Sequence, residues 1–496
     1  MKYPVWGVSQ CSDNNAIIEI RTRSRRVRVH ALKMSVSQPR HALRVTFLVS
    51  VERREGFNIK ISRVLREATE HGLDLYLFVP AEIDLHRNVV SEGSFYHNAI
   101  HLKRTYYSNQ RHLPLAHSRL ARRDRQSPER YRLSLSLYAY QYVVALERLI
   151  APLEGHPDRV SVEALEEIIE LARSVPRRMR RNRPVDDNQL KYFINIDNYL
   201  SWITEQRLLK LIAGLPEWED SQAMARHDLF EICRFENRYR SEHQYNSSRA
   251  SQSPSRISNK MRLLRRLIEY PVTLKQRTRE LGAWEERGVK ALATGVVMLV
   301  ISVMMLEARN LVGDLTLRFV LILALLYAMR EVFKEDLRNT LWRWLRRGRP
   351  KWIRQYFDVH SKEMVGQQRE WLDYVRFKRL DDDIRATRGG GVTQREEVIL
   401  QYRSRSKMLP TRFLSGYEET REIMMLDLSV IANLLEDSHH HVYQLLDGEV
   451  NREVVERRYQ INLVARTIRG SQKTTVQRWK INMSRSGIVD IEESTP

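Results

Sequence analysis

Two apolar runs near the middle of the chain constrain it most. No charge interrupts ALATGVVMLVISVMML from Ala291 to Leu306, and Lys290 stands just before it. Extended back through Gly288, at about 1.5 Å per residue, this run is long enough to cross about 30 Å of hydrocarbon. Lys290 can then reach back to the head groups. The second run, LTLRFVLILALLYAMREVF, has an uncharged centre, Phe319 to Met329, of only eleven residues. By length alone such a centre fits a buried soluble helix. It reaches spanning length when Arg318 and Arg330 lie at opposite interfaces. The short polar segment ARNLVGD between the runs suits an antiparallel hairpin. The expected fold is an α+β multi-domain membrane protein. Its central transmembrane hairpin covers 284–335, with spans at about 288–308 and 315–334.

Orientation follows from the cations beside the spans. Lys275, Arg277, Arg279, Arg287 and Lys290 precede the first. Arg330, Lys334, Arg338, Arg346 and Arg347 are among those that follow the second. The connecting turn has only Arg309 and Arg318, offset by Glu307 and Asp314. Both long flanks, and both termini, are therefore expected on the cytoplasmic side of a bacterial-type inner (plasma) membrane. The segment LWRWLRRGRPKWIRQYF (341–357) reads as an interfacial anchor. Trp342, Trp344 and Trp352 suit a half-wet layer, while Arg346 and Arg347 suit anionic lipid at about 1 kcal/mol each.

The flanks are too polar for a many-span transporter. The chain has 496 residues, 42% hydrophobic and 29% charged, with a formal net charge of +22. That balance favours anionic surfaces, lipid head groups before nucleic acid. Two distant cysteines, Cys11 and Cys233, exclude a disulfide framework. Residues 1–33 read as a disordered basic extension, with Met34 as the natural start. Residues 34–130 read as an N-terminal αβ domain containing a strand–helix–strand unit: LRVTFLVSVE, then a helix over NIKISRVLREATEHG, then LDLYLFVPAEI. No glycine-rich phosphate loop joins the first strand to the helix, so Rossmann or P-loop nucleotide binding is not supported.

Residues 131–283 read as a helical region ending in a basic amphipathic helix that leads into the membrane. Residues 336–387 read as interfacial and juxtamembrane helices, including VHSKEMVGQQREWLDYVRFKRLDDDIRA. RGGGV (388–392) marks a linker to a C-terminal α+β domain over 393–496. There SGYEETREIMMLDLSVIANLLED reads as helical, capped by Ser415 with Glu418 three residues on. Two long strands then flank the turn RGSQKT. Ile461, Leu463 and Ala465 alternate in the first, and Trp479, Ile481 and Met483 in the second, with Val476 out of phase.

Chemistry is hard to find in this sequence. No GxSxG, HExxH, Walker, kinase or zinc-ribbon pattern is present. Adjacent acids such as Glu166–Glu167 and Asp381–Asp383 point different ways on a helix, so they read as solvated faces. His439, His440 and His441 diverge in any regular element, and no metal or other cofactor is expected from them. The candidate ligand-binding set is His97, His101, Lys103, Arg104 and Tyr107, where cations alternate with polar aromatics. His97 and His101, four apart, would share a face of a helix. The leading reading is a membrane-anchored scaffold or regulatory protein that binds lipid and other proteins or copies of itself. The alternatives are an enzyme using the N-terminal domain on a nucleotide or lipid, and an oligomeric channel or membrane effector. Ala293, Gly295 and Ser302 would give such a channel a small-residue face.

Overall fold

A computed structural model describes residues 49–66, 70–110, 127–154, 160–215, 218, 220–312, 317–346, 348–389, 397–436, 439–446, 449–470 and 473–494. The first 48 residues, and with them the expected extension and Met34, lie outside that set. The protein is of mixed α+β class, with helices and several sheets.

Antiparallel pairing organises everything. A four-stranded sheet has the order β1 (Ser50–Arg53), β2 (Asn58–Leu65), β9 (Glu419–Asp427), β4 (Ile100–Tyr107). The second sheet has eight strands. Its order is β14 (Ile488–Ser494), β13 (Lys473–Met483), β12 (Tyr459–Arg469), β3 (Glu70–Pro80), β8 (Glu397–Met408), β7 (Met364–Val375), β6 (Trp352–Phe357), β5 (Lys275–Glu280). A separate ribbon joins β10 (His439–Leu446) to β11 (Glu449–Glu456). Ile59, Ile61, Leu102, Met424 and Leu426 of the small sheet share one buried cluster with Leu75, Leu77, Leu463 and Ile481 of the large one. The two sheets thus face each other. Helix α1 (Glu92–Ala99) adds Phe95 and Tyr96 to the same layer, its first turn capped by Ser91.

Among the described residues of 128–269, five long helices are α2 (Pro128–Ile150), α3 (Val162–Arg181), α4 (Asp187–Ala213), α5 (Ala223–Glu242) and α6 (Pro254–Glu269). Ser127, Ser161 and Asp186 cap the first three by accepting from backbone N–H groups three residues on. Tyr140 of α2 donates to the Tyr106 carbonyl at 3.0 Å, which ties the bundle to β4. On the other face of the large sheet, α9 (Asp382–Arg388) packs Ile384 beside Tyr76, Phe78 and Val464.

The structure departs from the sequence reading in several places. Asn58–Leu65 is a strand, not the helix of a strand–helix–strand unit. Ile61, Val64 and Leu65 mimic helical spacing, but β-branched Ile59 and Ile61 are buried at period two and pair with β9. Met364–Val375 and Glu419–Asp427 are also strands rather than helices. Their buried positions include Gln368, Glu370, Thr420 and Glu422, so polar residues hide the alternation. The amphipathic helix stops at Glu269, and the chain approaches the hairpin as β5.

The expected N-terminal and C-terminal domains are interleaved. β3 lies between β8 and β12, and β9 lies between β2 and β4. The strands β12 and β13 match expectation, and their register is unbroken from Arg469↔Lys473 to Tyr459↔Met483. Val476 belongs to the opposite face, against the cluster of Phe78 and Val464.

Candidate membrane anchor

β5 and β6 are hydrogen-bonded neighbours, from Lys275↔Phe357 to Glu280↔Trp352. The chain leaves this ladder after Glu280 and turns at Gly282, whose φ of +100° suits glycine. A Cβ there would also stand 3.1 Å from the Trp342 ring. It then forms α7 (Ala283–Val312) and α8 (Leu317–Arg346), each about 45 Å long at 1.5 Å per residue. The two helices pack along each other. Arg346 of α8 donates to the Leu281 carbonyl at 3.3 Å, and Arg349 pairs with Glu285 at 3.4 Å, so both chain ends meet at one base. Val289, Ala293, Val297 and Ile301, four apart, form the buried seam of α7, and Leu326 is buried on α8.

Away from the seam the side chains are apolar and exposed. Leu292, Leu299 and Leu306 are 60%, 67% and 62% exposed, and Leu321 and Leu325 are both 62% exposed. Burying a leucine gains about 1.5–3 kcal/mol, so leaving this many in water is costly. Among the described residues one segment, Trp284–Glu307, 24 residues long, is long and apolar enough to cross a membrane, with a mean hydropathy of 2.2 over its most apolar 18 residues. No charge falls between Lys290 and Glu307 of α7. In α8, Lys334, Glu335, Asp336 and Arg338 occupy the half nearer the base, and Arg330 and Glu331 stand at the middle of the helix.

The expected interface residues divide. Lys290 pairs with Glu286 at 2.8 Å, and the Arg330 guanidinium lies 5.0 Å from the Tyr327 ring. Trp342 lies 5.0 Å from the Arg346 guanidinium, and Trp344 is exposed. Trp284, not singled out in the sequence, is exposed at the base beside Arg287. Arg318 falls in the first turn of α8, and Arg347 lies outside the described residues. Trp352 is not at an interface. It is buried in the sheet and stacks on Tyr96 at 3.9 Å between centroids. The basic Trp-rich stretch is therefore half helix and half core strand. Of the small residues expected on one hairpin face, Ala293 is in the seam while Gly295 and Ser302 are exposed.

The candidate ligand residues do not converge. His97 lies in the last turn of α1 and His101 is the second residue of β4, so no helical face presents both. Lys103 and Arg104 point to opposite faces of β4. Lys103 pairs with Glu269 of α6, beside a cavity of about 50 Å³. That volume suits ordered water, not a metabolite. Tyr107 lines a different, open groove with Phe413 and Tyr417. Among the described residues no group of three His, Cys, Asp or Glu is placed to hold a metal.

Arg104 faces the layer between the sheets, where charge is concentrated. It donates to Glu422, to Gln368 at 2.8 Å and to Ser406 at 2.6 Å, and its guanidinium lies 4.3 Å from the Tyr356 ring. Arg63 donates to the other Glu422 oxygen at 2.7 Å and to the Gly72 carbonyl at 3.0 Å. Beside them Arg354 bonds Glu370 at 2.9 Å and Tyr96 at 2.7 Å, and Tyr96 in turn donates to Glu370. Burial alone would raise Glu422, but Arg63 and Arg104 outweigh it and bring its pKa down to about 2. Burial, then Arg63 and Arg104, lower His71 to about 4.

Of this network the sequence search singled out only Arg104. The available signal was phase. Glu422 follows Thr420 and precedes Met424 and Leu426 at period two, all buried. Comparison with models of known families, with curated proteins and with solved structures gave no match.

Proposed function

We propose that this chain is a two-span integral membrane protein whose large folded body lies wholly on the cytoplasmic side, serving as a membrane-anchored scaffold or regulatory platform. The observation that carries the reading is the ladder beneath the hairpin. β5 precedes α7, β6 follows α8, and the two are hydrogen-bonded along their length. β3, far before the hairpin, is likewise paired with β8 and β12, far after it. Strands of one sheet share one side of a bilayer, which supports an even number of crossings over a single one. If α7 crosses, the chain must return, and α8 is the segment available to do so. The bare apolar outer faces of both helices supply the reason to cross.

The charged basal half of α8 sets the depth. Arg338 to Arg346, level with Lys290 and the base of α7, belong at head-group level, in reach of anionic lipid, and Lys334 and Arg330 extend toward it. The hairpin's apolar length is then used from its distal end, which places Trp284, Trp342 and Trp344 on the cytoplasmic approach. Cations at the base give the orientation. The scaffold role is favoured over an enzyme because the candidate ligand residues are spread over separate surfaces and the charges at the small cavity are already paired, Lys103 and Arg265 to Glu269.

The test is topological. Reporters fused after Pro496 and inserted between α7 and α8 are expected to read cytoplasm and exterior respectively, with the protein resisting alkaline extraction of membranes. An external signal after Pro496, or full release on extraction, overturns the reading.

A further inference from the structure

The ribbon of β10 and β11 is paired from His439↔Glu456 to Leu446↔Glu449. A lone two-stranded ribbon is marginally stable in water. This one is exposed along most of both strands. Its two faces differ. Pairing and period-two alternation put Leu445 opposite Val450, Tyr443 opposite Arg452 and His441 opposite Val454 on one face. Leu445 and Val450 are 74% and 71% exposed, and Tyr443 and Val454 are exposed too. The other face carries Gln444, Asn451 and Glu453 exposed, with Val442 and Val455 half-buried.

The root of the ribbon is fixed. Arg457 pairs with Glu82 and Glu436, both at 2.8 Å, and Ser486 Oγ donates to Glu456 at 2.8 Å. Only Arg457 and Arg458 separate β11 from β12. Strand polarity then locates the root. β5 runs toward the hairpin, and successive antiparallel pairings bring the end of β7, the end of β3 and the start of β12 to that same end of the sheet. The ribbon and the hairpin leave the large sheet from one end. An element with one exposed apolar face, rooted at the end of the sheet from which the hairpin leaves, suits the bilayer surface.

We propose that this ribbon is a second, interfacial membrane contact, laying Tyr443, Leu445, Val450 and Val454 on the bilayer that the hairpin enters. The proposal rests on the membrane reading above. Tyr443 has the half-wet character of interface aromatics, and Arg452 on the same face reaches lipid phosphate.

The test uses the full chain with Cys11→Ser and Cys233→Ala, carrying one new cysteine at a time: Leu445→Cys, Gln444→Cys or Leu299→Cys. Each is labelled with an environment-sensitive fluorophore and reconstituted into phosphatidylcholine–phosphatidylglycerol vesicles containing doxyl-labelled lipid. Quenching by lipid is expected to be severalfold stronger at Leu445 than at Gln444, with Leu299 strongly quenched. Equal weak quenching at Leu445 and Gln444, with Leu299 quenched, overturns the ribbon contact alone. So does a Leu445 probe shielded from an aqueous quencher but not reached by lipid, which would mean a protein partner. No quenching at Leu299 overturns the membrane reading and the ribbon contact with it.

Discussion

Arg104 and Leu299 stand in opposite places from those their side chains ordinarily take. The guanidinium is sealed between two sheets, while the leucine is two-thirds exposed on a helix. The difference teaches where each part of the chain finds its solvent. Between the sheets, these charges are matched by a partner on a neighbouring strand of the same sheet, Arg63 and Arg104 to Glu422, Arg354 to Glu370. On the hairpin the charges pair on the surface, as Lys290 does with Glu286 and Lys334 with Glu331, and the described apolar outer faces of α7 and α8 satisfy nothing that water offers. The first region carries its own polar environment inside the fold. The second leaves its apolar side chains exposed, and on the proposed membrane reading lipid supplies their environment.

Removing one member of the buried network should produce the largest effect. Glu422→Ala leaves Arg63 and Arg104 buried without their shared carboxylate and is expected to cost about 3–5 kcal/mol. Denaturant unfolding of the detergent-solubilised protein would show it. A loss below about 1 kcal/mol, the range of an exposed pair, would mean that the inter-sheet charges are not sealed from water.

Leu299→Lys should act on the other region. It is expected to add about 3 kcal/mol to the cost of insertion and to shift protein from the membrane to the extractable fraction. Leu299→Met should not. An unchanged membrane fraction for Leu299→Lys would place the outer face of α7 in water or against protein.

Acid should separate the regions further. His71, neutral in the fold down to about pH 4, disfavours folding as its unfolded counterpart protonates. Stability is therefore lost as pH falls from about 6.5 to about 4, by on the order of 2–3 kcal/mol. Glu422 contributes stability that is present above its unfolded value and lost as pH falls toward about 2. Successive limbs are thus expected in a pH titration of the unfolding midpoint, and His71→Phe should flatten the upper one. A flat profile from pH 7 to 4 in the unsubstituted chain would contradict the buried position of His71.

The smallest effect belongs to the hairpin base. Lys290→Gln breaks an exposed i,i+4 pair with Glu286 and should change stability by no more than about 0.5 kcal/mol. Its topology reporters should read as before. Inversion by this one change would give Lys290 a larger share of the orientation than its neighbours Arg287 and Arg346.

The same contrast explains what the sequence disclosed. Ala291–Leu306 is legible because one residue class fills it. β12 and β13 are legible because Ile461, Leu463, Trp479 and Ile481 alternate openly. β7 and β9 are not, because Gln368, Glu370 and Glu422 occupy core positions that a hydrophobic pattern assigns to solvent. β2 misleads because Ile61, Val64 and Leu65 satisfy a helical spacing that pairing with β9 overrides. Trp352 misleads because the basic neighbours that suggest an interface belong to a helix ending at Arg346. The interleaving of distant strands leaves no local trace, since pairing partners hundreds of residues apart share no pattern that a window can contain.

β3 has a further consequence during synthesis. It needs β8 on one side and β12 on the other, and neither exists until the ribosome has passed the hairpin. At roughly 5–20 residues per second, the interval from Pro80 to Tyr459 takes roughly 20 to 75 s. For that time a long, largely apolar strand has two open edges. Both helices of the hairpin are therefore made before the sheet that supports them can close.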